Sequence, residues 1–218
     1  MQSCVFKKGL VLRMKKKIGI FGGTFNPIHT GHLILAEAAY EEFGLDEILF
    51  VPTGISNLKD PSVILDKKTR ITLTGEAIGE NPHFALSTIE TDRPGKSYTF
   101  ETLELMNQEY PNSEYYLIIG ADSLFQIEQW KRPADIMKNA VILAAKRKGS
   151  TTQELLDKIE EIKEKYDADI RLLPCTYIDI SSTEIRERIK AGKSIRYLVP
   201  EVTEKYIKKH HLYEDREN

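Results

Sequence analysis

Short apolar runs alternate with longer amphipathic ones along most of this chain, and that alternation limits its fold more than any other feature. The apolar runs 17–21, 47–51, 84–87, 114–119, 140–144 and 170–173 read as strands. Most are apolar on consecutive residues and rich in β-branched side chains, the pattern of strands covered on both faces. Between them lie helical patterns over 31–43, 67–80, 99–109, 133–138 and 152–166. Strands and helices alternating at this spacing predict an α/β protein with a doubly wound parallel sheet. Two C-terminal helices follow. One covers 181–190 and opens on Ser181 with Glu184 three residues on, a capping-box signature. The other starts at Pro200, with Val202, Tyr206 and Ile207 as its apolar stripe.

No internal repeat, low-complexity linker or composition break divides the chain, so residues 14–218 are expected to form a single domain. Residues 1–13 read differently. Met14 opens Met14-Lys15-Lys16-Lys17-Ile18-Gly19-Ile20, a natural start to the first strand. The residues before it are expected to be a poorly ordered extension or a mis-called start.

Composition removes several function classes. Hydrophobic residues make up 41% and charged residues 29%, an ordinary globular balance with ample material for a core. No apolar run approaches the roughly 20 residues that cross a bilayer, and none near the N-terminus suits a secretion signal. Lys and Arg number 31 against 33 Asp and Glu, so no overall field would hold a nucleic-acid backbone. An anionic ligand must instead be caught by local donors such as helix N-termini and single cations. Cys4 and Cys175 show no CxxC spacing, which suits a reducing compartment and argues against a zinc knuckle. The expected location is the cytoplasm; oligomeric state is left open.

The chemistry concentrates in the first turn, Gly22-Gly23-Thr24-Phe25-Asn26-Pro27-Ile28-His29-Thr30-Gly31-His32. It follows a strand and precedes a helix, where α/β sheets place their ligands. Gly22 and Gly23 leave room for backbone N–H groups to approach a phosphate. His29 and His32 stand at i, i+3 on a helix N-terminus, so both rings can face one ligand. The glycines fit neither a GxGxxG dinucleotide fingerprint nor a GxxxxGK[ST] phosphate loop. An isolated His pair would more often be structural; the whole string argues otherwise. A second segment, Ile180-Ser181-Ser182-Thr183-Glu184-Ile185-Arg186, gathers hydroxyls and free N–H groups at a helix start, with Arg186 one turn on.

The first string resembles the GTFxPxHxGH signature of the HxGH nucleotidyltransferase superfamily, and the second resembles its ISSTxIR motif. The resemblance implies a Rossmann-like nucleotidyltransferase fold. From Met14 onward the chain is similar to bacterial nicotinate-nucleotide adenylyltransferases over nearly its full length. The segments that carry this are Leu45 to Pro52, Gly95 to Leu103, Ile118 to Ser123 with Trp130-Lys131, and Gly192 to Pro200. It implies that His29, His32 and Arg186 are catalytic. It implies ATP binding by Gly22, Gly23, Thr24, Phe25, Asn26, Gly31, Lys59, Gly120, Asp122, Ser181, Ser182 and Thr183. Thr99 and Trp130 would hold the nicotinate nucleotide, Trp130 by stacking on the ring. The plain alternatives are a half-buried core role for Trp130 and an N-cap role for Asp122.

Two departures stand out. Family members usually carry Pro-Pro-His-Lys after the second strand, where this chain has Gly54-Ile55-Ser56-Asn57-Leu58-Lys59-Asp60 and only Lys59 fits. Position 26 is Asn where Asp is common. The implied substrates are ATP and nicotinate mononucleotide, with Mg2+ entering on the nucleotide and no metal site made of protein ligands. The rivals are a nucleotide sensor without turnover, an oxidoreductase, and adenylyltransferases for nicotinamide mononucleotide or phosphopantetheine.

Overall fold

The computed structural model of the chain describes residues 15–55, 64–146, 152–175 and 178–214. Residues 1–13 and Lys59 therefore lie outside the described residues. The sheet has six parallel strands: β1 (Lys16–Gly23), β2 (Glu47–Pro52), β3 (Phe84–Leu86), β4 (Ser113–Gly120), β5 (Val141–Ala145) and β6 (Ile170–Leu173). Their order is β3-β2-β1-β4-β5-β6, the doubly wound arrangement the alternation predicts.

Alternate residues of each strand face opposite layers. Ile18, Ile20, Tyr115, Leu117 and Ile142 pack on one side with α3 (Thr99–Glu109), α4 (Ala121–Gln126), α5 (Pro133–Asn139) and α6 (Thr152–Tyr166). Phe21, Ile48, Phe50, Ile118 and Leu143 pack on the other side, against α1 (Thr30–Phe43) and α2 (Lys67–Ile78). Because both faces are covered, the strands need apolar residues at every position, which is why they read as continuous runs. A smaller core of Ile185, Ile195, Val199 and Ile207 joins α7 (Ser182–Lys190) to α8 (Glu201–Lys209).

The layering creates the site. Chain direction across the sheet reverses between β1 and β4, which start from the centre and wind outward in opposite senses. Pairing between these strands ends at Ile20 and Leu117, although both continue for three more residues. Gly22 and Gly23 pair only with β2, at Val51 and Pro52. A crevice therefore opens at the carboxyl edge, between the ends of β1 and β4.

Some expectations need correction. Helix α4 and the 3₁₀ turn Ile127–Gln129 are new, since Ala121–Gln126 is too short to carry a periodic signal. The stripe expected on α8 is displaced: Val202 is exposed, while Thr203, Glu204 and Ile207 turn inward. That helix packs against α2 near the end of the chain, and contact geometry outweighs side-chain type there. The capping reading of Ser181 agrees with the structure: it is the N-cap of α7, and its hydroxyl accepts from the Glu184 amide at 3.1 Å.

A charge cluster fastens α6 to the 3₁₀ turn. Lys158 and Lys165 each reach the Glu128 carboxylate at 2.7 Å. Their hydrogen bonds depress its pKa to about 2. A carboxylate lowered in the folded state adds stability above its unfolded value of about 4.3, and loses it as pH falls toward 2. The Glu128→Gln protein should thus have a lower urea midpoint than the parent at pH 7. The gap should narrow as pH falls from about 5 toward 2, as equilibrium unfolding at each pH will read.

Candidate active site

The first turn is built around the Phe25 and His29 rings. Phe25 is buried, and sits edge-on to Phe21 and His32 with centroids 5.9 and 5.1 Å away. A Cβ on Gly23 would meet the Phe25 ring at 2.9 Å, so the missing side chain there serves packing of the turn. Gly22 faces open space. Phe25 and Asn26 both turn their side chains into the protein, and offer a ligand only backbone.

His29 is the N-cap of α1, and its ring stacks on His32 with centroids 3.6 Å apart and planes 25° from parallel. The His29 amide donates to His32 Nδ1 at 3.2 Å. That bond needs a lone pair on Nδ1, so it assigns the proton of the neutral His32 ring to Nε2. His32 is thereby fixed as a donor through Nε2. Gly31 is what lets the pair form, because a Cβ there would meet His29 Nδ1 at 3.2 Å and Cε1 at 3.3 Å.

The second motif arrives at the same place. Ser182 Oγ donates to the Pro27 carbonyl at 2.8 Å, and Arg186 Nη1 to the Asn26 carbonyl at 2.9 Å. The Asn26–Pro27 peptide between them is cis. Ile180 lies against Gly31, its Cβ 3.7 Å from the position a side chain there would take. Two helix N-termini, those of α1 and α7, thus converge on one turn, and each presents amide N–H groups and a positive partial charge. Ser181 caps α7, while Ser182 and Thr183 fill its first turn. Thr183 Oγ1 also accepts from Arg186 Nη2 at 3.2 Å. Thr24 is buried, and its carbonyl accepts from Arg70.

Across the crevice, Gly120 is the N-cap of α4 and Asp122 stands exposed in its first turn. The N-cap alternative for Asp122 is overturned, since the cap lies two residues earlier. Thr99 is the first residue of α3. Trp130 is half-buried against the core on the same side. Lys131 lies over the Tyr98 ring at 4.2 Å and Arg132 over Phe100 at 4.4 Å. These contacts bring the Lys131–Arg132 segment against the start of α3, the helix that Thr99 opens. Among the described residues, no group of three or more His, Cys, Asp or Glu side chains is placed to hold a metal ion. No described helix is long and apolar enough to cross a membrane.

Sequence reasoning missed Arg70 and Tyr213. Arg70 is 2% exposed and donates to four carbonyls around the first two turns. The signal was present: Arg70 shares the buried face of α2 with Leu73, Thr74 and Ile78, and an arginine on an apolar stripe must have partners. Tyr213 gave no such signal.

A parallel sheet of this order, with a His pair on α1 and a Ser/Arg pair on α7 closing one turn, defines a nucleotidyltransferase-like site. The family described as cytidylyltransferase-like matches residues 20–188. The probable nicotinate-nucleotide adenylyltransferase of Lachnoclostridium phytofermentans is 46% identical over 198 residues, covering 91% of this chain and 99% of that protein. The one from Clostridium tetani is 42% identical, covering 92% and 100%. Among solved structures, Plasmodium falciparum nicotinic acid mononucleotide adenylyltransferase complexed with NaAD superposes with a TM-score of 0.74 at 20% identity. It covers 91% of this chain and 97% of its own, a likeness of fold. The chain belongs to the nicotinate-nucleotide adenylyltransferase family.

The tightness at Gly31 can be tested directly. In Gly31→Ala the new methyl must push the His29 ring by a few tenths of an ångström. Turnover should fall about tenfold or more, since small misplacements of donors are costly, while the thermal midpoint stays close to the parent's. Steady-state kinetics beside a melting curve will show both.

Proposed function

We propose that this protein transfers the adenylyl group of ATP to nicotinate mononucleotide, giving nicotinate adenine dinucleotide and pyrophosphate for NAD biosynthesis in the cytoplasm. The observation that carries this reading is the convergence of the α1 and α7 N-termini on the Asn26–Pro27 turn. It occurs in a chain 46% identical to a protein named for that activity.

The reaction is an in-line displacement. An oxygen of the acceptor phosphate bonds to the α-phosphorus of ATP, and the bond to the β-phosphate oxygen breaks. The acceptor phosphate is already ionised, so no residue need act as general base. Catalysis is positioning and charge stabilisation. His32 Nε2–H is the donor the geometry defines, and we assign it, with His29, to the triphosphate. The N-termini of α1 and α7, with Ser182, Thr183 and Arg186, surround the same phosphates. Lys59 adds a cation in this reading. Gly120 and Asp122 take the nucleotide's sugar side.

Mg2+ comes as part of the nucleotide substrate, held chiefly by phosphate oxygens and water. We place the nicotinate ring on Trp130, with Thr99 and the free amides of the α3 N-terminus toward its carboxylate. The half-buried setting of Trp130, packed against the core with part of its surface exposed, supports this.

Pyrophosphate release from Mg-ATP should be strong with nicotinate mononucleotide and weak with nicotinamide mononucleotide or phosphopantetheine. A preference for either of the other two would move the acceptor assignment and leave the ATP site standing. His29→Ala and His32→Ala should each lower kcat about 100-fold with folding intact, as for loss of a transition-state donor. Near-normal turnover in either would remove that histidine from the mechanism.

A further inference from the structure

Asn26 is the meeting point of three elements far apart in sequence. Its Oδ1 accepts from the Leu65 amide at 3.1 Å and from the Tyr213 hydroxyl at 2.9 Å. Its backbone carbonyl accepts from Arg186. Leu65 is gripped from its other side too, where its carbonyl accepts from Arg70 Nε at 3.1 Å. The same guanidinium donates to Thr24 O at 2.9 Å, Thr53 O at 2.7 Å and Gly54 O at 3.2 Å. One planar fork thus holds carbonyls from the turn after β1, the turn after β2 and the approach to α2.

This is an expensive way to stabilise a fold. Arg70 is buried and its hydrogen bonds go to carbonyls, so its charge is balanced by dipoles instead of a bound carboxylate. Desolvation lowers its pKa, opposed by Tyr213 and Asp66 nearby. Buried charges are weak sources of stability, and apolar side chains of similar volume often do as well. What a guanidinium adds is a rigid set of donors that fixes several acceptors relative to one another. Tyr213 has the same character. Its backbone sits at φ 66°, a disfavoured region for a tyrosine, and its hydroxyl is brought to Asn26 from the far end of the chain. Arg70 and Arg186 both lie near that hydroxyl, while burial raises its pKa well above the ordinary value.

We propose that Arg70 and Tyr213 are positioning residues of the reaction: through Asn26, Leu65 and the Thr24, Thr53 and Gly54 carbonyls they lock the His29 turn to the turn after β2. Neither side chain touches substrate in this scheme. The first turn carries His29 and His32, so the lock fixes their place relative to the end of β2 and the start of α2. The proposal rests on the adenylyl-transfer reading for its kinetic consequences, but not for its structural ones.

The test uses the full chain as Tyr213→Phe, which deletes one hydroxyl, and Arg70→Lys, which keeps charge and loses the fork. Turnover of Mg-ATP with nicotinate mononucleotide is measured beside amide hydrogen exchange at residues 22–26. The expected result for Tyr213→Phe is a kcat about tenfold lower with KM for ATP within about twofold, the mark of lost alignment. Exchange in the turn should rise about tenfold while β4 amides keep parental rates, as for a local opening. Arg70→Lys should do the same and also loosen residues 53–55. Parental kcat in Tyr213→Phe overturns the proposal, whether or not the turn loosens, and so does a loss shared equally by the β4 amides. If the parent protein does not turn over nicotinate mononucleotide, the acceptor reading fails. The lock is then judged on exchange alone, and parental rates at 22–26 in both variants overturn it.

Discussion

Two hydrogen bonds span most of the chain and hold the site together: Ser182 to the Pro27 carbonyl and Arg186 to the Asn26 carbonyl, across 155 and 160 residues. Both acceptors lie on the turn after β1, whose carbonyls would otherwise lack these partners. Satisfying them from α7 places a second helix N-terminus beside that of α1. Each helix alone presents a modest positive end; together they make a pocket of amide donors suited to several phosphate charges at once. A chain with net charge −2 needs such a local device to hold a polyanion.

The sheet supplies the place for this pocket. Parallel strands wind outward from β1 and β4 in opposite senses, so no crossover covers their shared carboxyl edge. The strands stop pairing at Ile20 and Leu117, and the turns beyond them are free to carry function. Helices on both faces exclude water from below. The side we propose for the acceptor, with Trp130 and Thr99, is built on one face from α3 and the segment before α5. The His pair is assembled from the other. A two-substrate reaction across the sheet edge follows naturally from this division.

Within the first turn, small and aromatic residues share one packing problem. Phe25 must fold over Gly23, and His29 over Gly31; a methyl at either glycine would strike a ring. The outcome is a stack of His29 on His32 flanked by Phe21 and Phe25, with the His29 amide fixing the His32 tautomer. The spacing of the motif is therefore accounted for by ring packing as well as by the binding role we propose for it. Arg70 continues the theme from below, where one side chain serves carbonyls that no strand or helix could satisfy.

The sequence by itself determined the class of fold and the order of its strands and long helices, and it singled out the turn to which we assign the chemistry. Periodicity reports burial on two faces, and Gly, Pro and His punctuate a turn in ways that local physics can read. Both strings, 22–32 and 180–186, stand out in the sequence, and the hydrogen bonds of Ser182 and Arg186 to Pro27 and Asn26 join them in the fold. Tertiary structure alone decided where individual side chains point and what they pack against. Phe25 and Asn26 turned inward, Gly23 proved to serve a ring, Gly120 displaced Asp122 as cap, and the α8 stripe shifted from Val202 to Thr203 and Glu204. Those outcomes depend on side-chain direction and on partners tens to hundreds of residues away, which no local pattern encodes. Tyr213 is the clearest case: one tyrosine near the end of the chain carries no signal until folding sets its hydroxyl against Asn26.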